Sequence, residues 1–113
     1  MKIYNQWIVE FVNEAAEEEI LKLSPDLKAK FLHVTELLLN FGPHNVGLPH
    51  VRPLGNKLWE LRLKGKDNIA RSIYALAAKR RIVMLHTFIK KTEKTPAHAL
   101  KLAKTRLKEV NDD

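Results

Sequence analysis

Arg81-Ile82-Val83-Met84-Leu85-His86-Thr87-Phe88-Ile89-Lys90-Lys91-Thr92-Glu93-Lys94-Thr95-Pro96 is the run on which the fold turns, because a β-like segment gives way there to lysines and then to a helix start. Its first eight residues, through Phe88, are a strong strand signal. Thr95 suits the N-cap and Pro96 the first helical position, which would place the unpaired backbone N–H groups close to Lys90, Lys91 and Lys94. Ammonium groups beside a helix N-terminus make a phosphate site. The alternative for the same lysines is a solvated basic linker.

Immediately before this run, Lys79-Arg80 reads as a turn and Ile69 to Leu76 as a strand. Gly65-Lys66-Asp67-Asn68 is a second turn, preceded by a strand from Lys57 to Leu63. Three consecutive strands with tight turns make an antiparallel meander. Trp59, Leu61 and Leu63 point to one face of it, and Leu58, Glu60, Arg62 and Lys64 to the other. Arg71 shares a face with Ile73 and Ala75, opposite Ser72, Tyr74 and Leu76.

Further out, residues 42–56 hold three glycines and three prolines and read as a loop. His44 and His50 lie in it, but two histidines without a cysteine or carboxylate nearby make a poor ligand set, so no metal site is expected. Ser24-Pro25-Asp26 starts a helix whose apolar stripe is Leu27, Phe31, Val34, Leu37, Leu38 and Phe41, and Gly42-Pro43 stops it. Phe11 to Leu23 reads as a shorter helix with an acidic outer face, and Met1 to Val9 as a first strand. The two helices should form a hairpin over one sheet face. Pro96 to Val110 closes the chain as a helix with a narrow seam of Leu100, Ala103 and Leu107, either packed on the sheet or ordered by a partner. The fold class is α+β.

A chain of 113 residues makes one domain, 1–113. It has no cysteine, which excludes a disulfide framework, a thiolate metal site and a cysteine nucleophile and fits a reducing cytoplasm. No secretory signal is visible and the apolar stretches are too short to span a bilayer, so a soluble protein without membrane partners is expected. The net charge of +7 is uneven: residues 1–56 carry five Lys/Arg against seven Asp/Glu, residues 57–113 fifteen against six. A polyanion is the natural partner for the second half.

If the helix hairpin covers the face bearing Trp59 and Tyr74, the other face presents Glu60, Arg62 and Arg71, with Lys90, Lys91 and Lys94 at its end. Such a groove suits RNA, whose 2′-hydroxyl can attack its own phosphate with no metal or cofactor. The protein then has to hold the in-line geometry, neutralise the phosphorane and move protons. Arg62 and Arg71 suit bidentate charge stabilisation. Glu60 either takes the 2′-hydroxyl proton or simply pairs with an arginine. His86 titrates in the useful range or is a satisfied residue of the strand. Tyr4 and Tyr74 read as packing. The candidate catalytic residues are thus Glu60, Arg62, Arg71 and Lys91, and the candidate RNA-phosphate ligands Lys64, Lys90, Lys94 and His98.

Leu58-Trp59-Glu60-Leu61-Arg62, Ala70-Arg71-Ser72-Ile73-Tyr74 and Leu85-His86-Thr87-Phe88-Ile89-Lys90-Lys91-Thr92-Glu93-Lys94-Thr95-Pro96, in that order, closely resemble the phage-derived, HigB-like branch of the RelE/ParE toxin superfamily. The resemblance implies a RelE-like α+β toxin, two N-terminal helices on an antiparallel sheet with a C-terminal helix. It also implies a cognate antitoxin, often a helix-turn-helix (HigA-like) protein, and ribosome-dependent cleavage of mRNA. Carried over by position, Arg62 and Arg71 fall where basic strand residues line the RelE-type cleft, and Lys90, Lys91 and Lys94 in the basic segment after the last strand. One departure is Ala99, where the branch usually has an acidic residue, with His98 beside it. The competing expectation is a non-catalytic module, ParE-like with another target or retained for an antitoxin regulatory complex.

Overall fold

The computed structural model describes residues 6–91 and 94–111. In chain order the elements are β1 (Ile8–Phe11), α1 (Glu14–Leu21), α2 (Pro25–Phe41), a 3₁₀ turn (Pro43–Asn45), β2 (Val51–Gly55), β3 (Leu58–Lys64), β4 (Ile69–Ala77), β5 (Arg81–Lys90) and α3 (Ala97–Leu107). The strands form one sheet in the order β1-β5-β4-β3-β2.

The meander is present as β3, β4 and β5, each antiparallel to the next. Two features depart from the expected antiparallel sheet led by two helices. The first strand read over Met1 to Val9 is present as β1, set later at Ile8–Phe11, with residues 1–5 outside the described residues; it precedes the two helices and runs parallel to β5, so the sheet is mixed. Parallel pairing joins residues about seventy positions apart, and no local pattern announces it. Phe11 to Asn13 therefore ends a strand and caps a helix instead of opening one: the Asn13 side chain accepts from the Ala16 N–H at 2.8 Å.

The second departure is β2, within the stretch read as loop. Pro53 and Gly55 conceal it, but β2 is an edge strand, where a proline costs no ladder bond on the open side. Asn56 and Lys57 turn it into β3, and Lys79 and Arg80 turn β4 into β5. All four have positive φ, the geometry of two-residue hairpins whose twist matches the strands.

α1 and α2 cover one face, where Leu27, Val34 and Leu38 of α2 are fully buried against Leu61, Leu63, Tyr74, Ile82 and Met84. Full burial of a leucine-sized side chain stabilises by about 1.5–3 kcal/mol, so this layer carries the larger core. Gly65 lets the β3–β4 turn close on the start of α2: a Cβ there would lie 2.5 Å from Asp26 Oδ2, which accepts the Lys66 N–H at 2.6 Å.

α3 packs on the opposite face, so of the two expectations for it the docked one holds. Ala99 and Ala103 are fully buried against Ile73, Ala75, Val83 and Leu85, and their small size lets the helix lie close to the sheet. Its N-cap is Pro96 and has no side-chain cap bond; Thr95, expected there, is engaged elsewhere. Among the described residues, no helix is long and apolar enough to cross a membrane.

Candidate functional site

Hairpin geometry brings the arginines together. On β3 and β4, Arg62 stands directly opposite Arg71, with Lys64 opposite Ile69. Across β4, Arg71 is opposite Phe88 and Ile69 opposite Lys90 of β5. Side-chain alternation then puts Arg62, Lys64, Arg71 and Lys90 on the α3 face. The helix packs over the other end of that face, at Ile73, Ala75, Val83 and Leu85, and leaves the basic end open.

The opening is a cleft of about 650 Å³ lined by Lys30, Pro49, His50, Arg62, Lys64, Ile69, Arg71, Lys90 and Lys91. Six of those nine residues are Lys or Arg and none is acidic, so the cleft attracts anions along its whole wall.

Glu60 lies behind the wall, fully buried. Its Oε1 is 3.3 Å from Arg71 Nε and 3.4 Å from Arg52 Nη2, and its Oε2 accepts from the Thr95 hydroxyl at 2.5 Å. Arg71 Nη1 donates to the Ala70 carbonyl at 3.0 Å. The Glu60–Arg71 approach is ionic and poorly aligned: neither Glu60 Oε1 nor Arg71 Nε has a hydrogen-bond partner among the described residues. Arg71 is thus anchored from behind by charge and retains donor capacity toward the cleft.

This electrostatic setting moves three titrating groups. Burial lowers the Arg71 pKa; Glu60 opposes that shift, while Arg62 and Arg52 add to it. Burial also lowers Lys90, with Arg71 pushing the same way and Glu60 against it. The His50 imidazole is held below its ordinary range by burial first, then by Lys30 and His33. A guanidinium stays protonated under these influences, whereas Lys90 becomes a better proton donor and His50 stays neutral at neutral pH.

A family model described as Phage derived protein Gp49-like (DUF891) matches residues 18–108. The chain belongs to this family. Gp49-like proteins are members of the RelE-like toxin superfamily. No curated protein matches the chain. The matched span contains every cleft residue.

In this Gp49-like chain the cleft gathers Arg62, Lys64, Arg71, Lys90 and Lys91 from the residues singled out in the sequence. Three others lie outside it. Glu60 is buried with both oxygens engaged by Arg71, Arg52 and Thr95, so of its two expected roles the placement favours pairing over proton transfer. Lys94 and His98 are exposed beyond the cleft wall, and the start of α3 does not line it; the expected phosphate site at that helix start is not part of this cleft. Thr92 and Glu93 of the motif, and Tyr4, lie outside the described residues.

His86 has the structural role, its Nδ1 3.0 Å from Glu19 Oε1. Tyr74 is fully buried, as packing required, and burial raises its pKa strongly.

Lys30 and His50 were not anticipated in the cleft. His50 has a legible signal in hindsight: β2 pairs Val51 with Leu61, so the residue before it falls beside Arg62, whose N–H donates to the His50 carbonyl at 2.8 Å. Lys30 reaches the cleft from α2, and nothing local distinguishes it from other surface lysines.

Proposed function

We propose that this Gp49-like protein is the toxin of a type II toxin–antitoxin pair, of the HigB-like branch, and that it cleaves mRNA on the ribosome in the cytoplasm. The observation that carries the reading is a carboxylate-free basic cleft in which a buried Arg71 is anchored from behind by Glu60. The chemistry that suits it needs no metal. The 2′-oxygen attacks the adjacent phosphorus, the P–O5′ bond breaks, and the products are a 2′,3′-cyclic phosphate and a 5′-hydroxyl. Arg71 and Arg62 neutralise the charge that builds on the phosphorane oxygens. Lys64 and Lys91 bind flanking phosphates.

Proton movement falls to residues on opposite walls. Neutral His50 accepts the 2′-hydroxyl proton and the Lys90 ammonium supplies one to the departing 5′-oxygen. A helix-turn-helix antitoxin is the proposed inhibitor.

The test is to add the purified protein to translating ribosomes and map new 5′ ends on the message. The expected result is new ends that need both ribosomes and Arg71, lost in Arg71→Ala. A folded protein that arrests growth yet makes no ends would discard cleavage in favour of a ParE-like module with another target.

A further inference from the structure

At the opposite end of the sheet from the cleft, a second cavity of about 330 Å³ is lined by Trp7, Leu39, Asn40, Phe41, Gly42, Pro43, His44, Asn45 and Arg80. It is separated from Arg71 by the run of β4 to its end at Ala77, roughly 20 Å at about 3.3 Å per residue. Its features are those of a flat-ring site. The Arg80 guanidinium lies 5.6 Å over the Trp7 ring, and His44 stands perpendicular to Trp7 at 6.3 Å and to Trp59 at 6.5 Å. Phe41 is 61% exposed at the rim.

The backbone holds this arrangement. Gly42 has φ +85°, in the left-handed region, and so turns Pro43–Asn45 back across the end of α2. Asn45 Nδ2 donates to the Phe41 carbonyl at 2.7 Å, which leaves its side-chain oxygen as an acceptor. None of the lining residues is acidic. Trp7 also precedes residue 18, where the family match begins, so the site is assembled partly from a segment the family model does not cover.

We propose that this cavity binds one unpaired base of a single-stranded RNA. A base stacks on the exposed guanidinium of Arg80, which itself lies over the Trp7 ring, while amides of Asn40 and Asn45 meet its hydrogen-bonding edge and the Arg80 charge draws the adjoining phosphate. The volume is near the lower limit of small-molecule pockets, about 300 Å³, which admits one base and not a helix of a protein partner. The inference does not depend on cleavage in the basic cleft.

The experiment titrates the full chain with a 2′-O-methyl hexanucleotide, which cannot be cut by 2′-hydroxyl attack, and follows the indole N–H signals of Trp7 and Trp59 by NMR. The expected result is a saturable shift of the Trp7 signal. Arg80→Ala should weaken it roughly five- to tenfold, the scale of a lost cation–π and phosphate contact. His44→Ala, at a surface turn, should weaken it less, and Lys104→Ala, an exposed position on α3 that lines neither cavity, should leave the Trp7 midpoint within about twofold when compared at equal salt. A Trp7 signal that stays still while cleft signals move, or an Arg80→Ala titration identical to wild type, overturns the proposal. An equal Trp7 shift from the mononucleotide alone overturns the RNA assignment in favour of a free-nucleotide pocket.

Discussion

Two glutamates, each facing an arginine across the fold, are used in opposite ways. Glu19 of α1 reaches round the side of β5, where β1 has ended: it accepts from Arg106 Nη1 at 3.0 Å and from the Thr87 N–H at 3.0 Å, and lies 3.0 Å from His86 Nδ1. Arg106 in turn donates to the Leu85 carbonyl at 2.9 Å. Side chains there replace the missing strand, satisfy the open ladder of β5 and tie the two helix layers together. Glu60 is more deeply buried and less well satisfied, with Oε1 over 3 Å from two arginines and no hydrogen bond among the described residues. The aligned network serves stability. The misaligned one leaves its arginine able to bond elsewhere, and a native protein tolerates such under-satisfaction chiefly at functional sites.

Loss of the Arg71 guanidinium should be the most damaging change. Arg71→Ala should reduce RNA cleavage by about 10²–10³-fold in the 5′-end assay, and Arg71→Lys should restore little, because an ammonium lacks the planar fork. At the other network, Glu19→Gln should cost about 1–3 kcal/mol in urea unfolding, by leaving Arg106 and His86 poorly paired, while the folded variant cleaves normally. Thr95→Val should cost about 1 kcal/mol and lower cleavage a few-fold by loosening Glu60 and with it Arg71. Arg52→Ala should fall below about 1 kcal/mol, since that side chain is 44% exposed.

Acid titration should report on the Glu19 network. Burial works to raise the Glu19 carboxyl, but the bonds from His86, the Thr87 N–H and Arg106 outweigh it and hold the pKa below its ordinary 4.5. A lowered folded pKa means the contribution is complete above the ordinary carboxylate range and is lost as pH falls through the folded value. Urea midpoints measured from pH 6 downward should therefore drop below about pH 5 in wild type. Glu19→Gln should show a shallower drop; parallel curves would remove Glu19 from the acid response.

Much of the fold was legible because its signals are local. Ser24-Pro25 and Gly42-Pro43 bracket α2 where the structure begins and ends it, and the alternation in Lys57–Leu63 and Ile69–Leu76 places Arg62 and Arg71 on one face. Adjacent strands of a hairpin must pair, so those arginines had to meet. Four matters depended on contacts between distant parts of the chain. The parallel β1–β5 pairing joins the two ends of the sequence, and β2 hides behind a proline that only an edge position permits. The role of Glu60 depended on burial: a glutamate on a strand face reads alike whether it meets solvent or sits under an arginine. Lys30 and His50 enter the cleft because α2 and the β2 edge converge on β3. Periodicity along a chain assigns side chains to faces; which faces meet, and how dry the contact becomes, is settled by the packing of the whole.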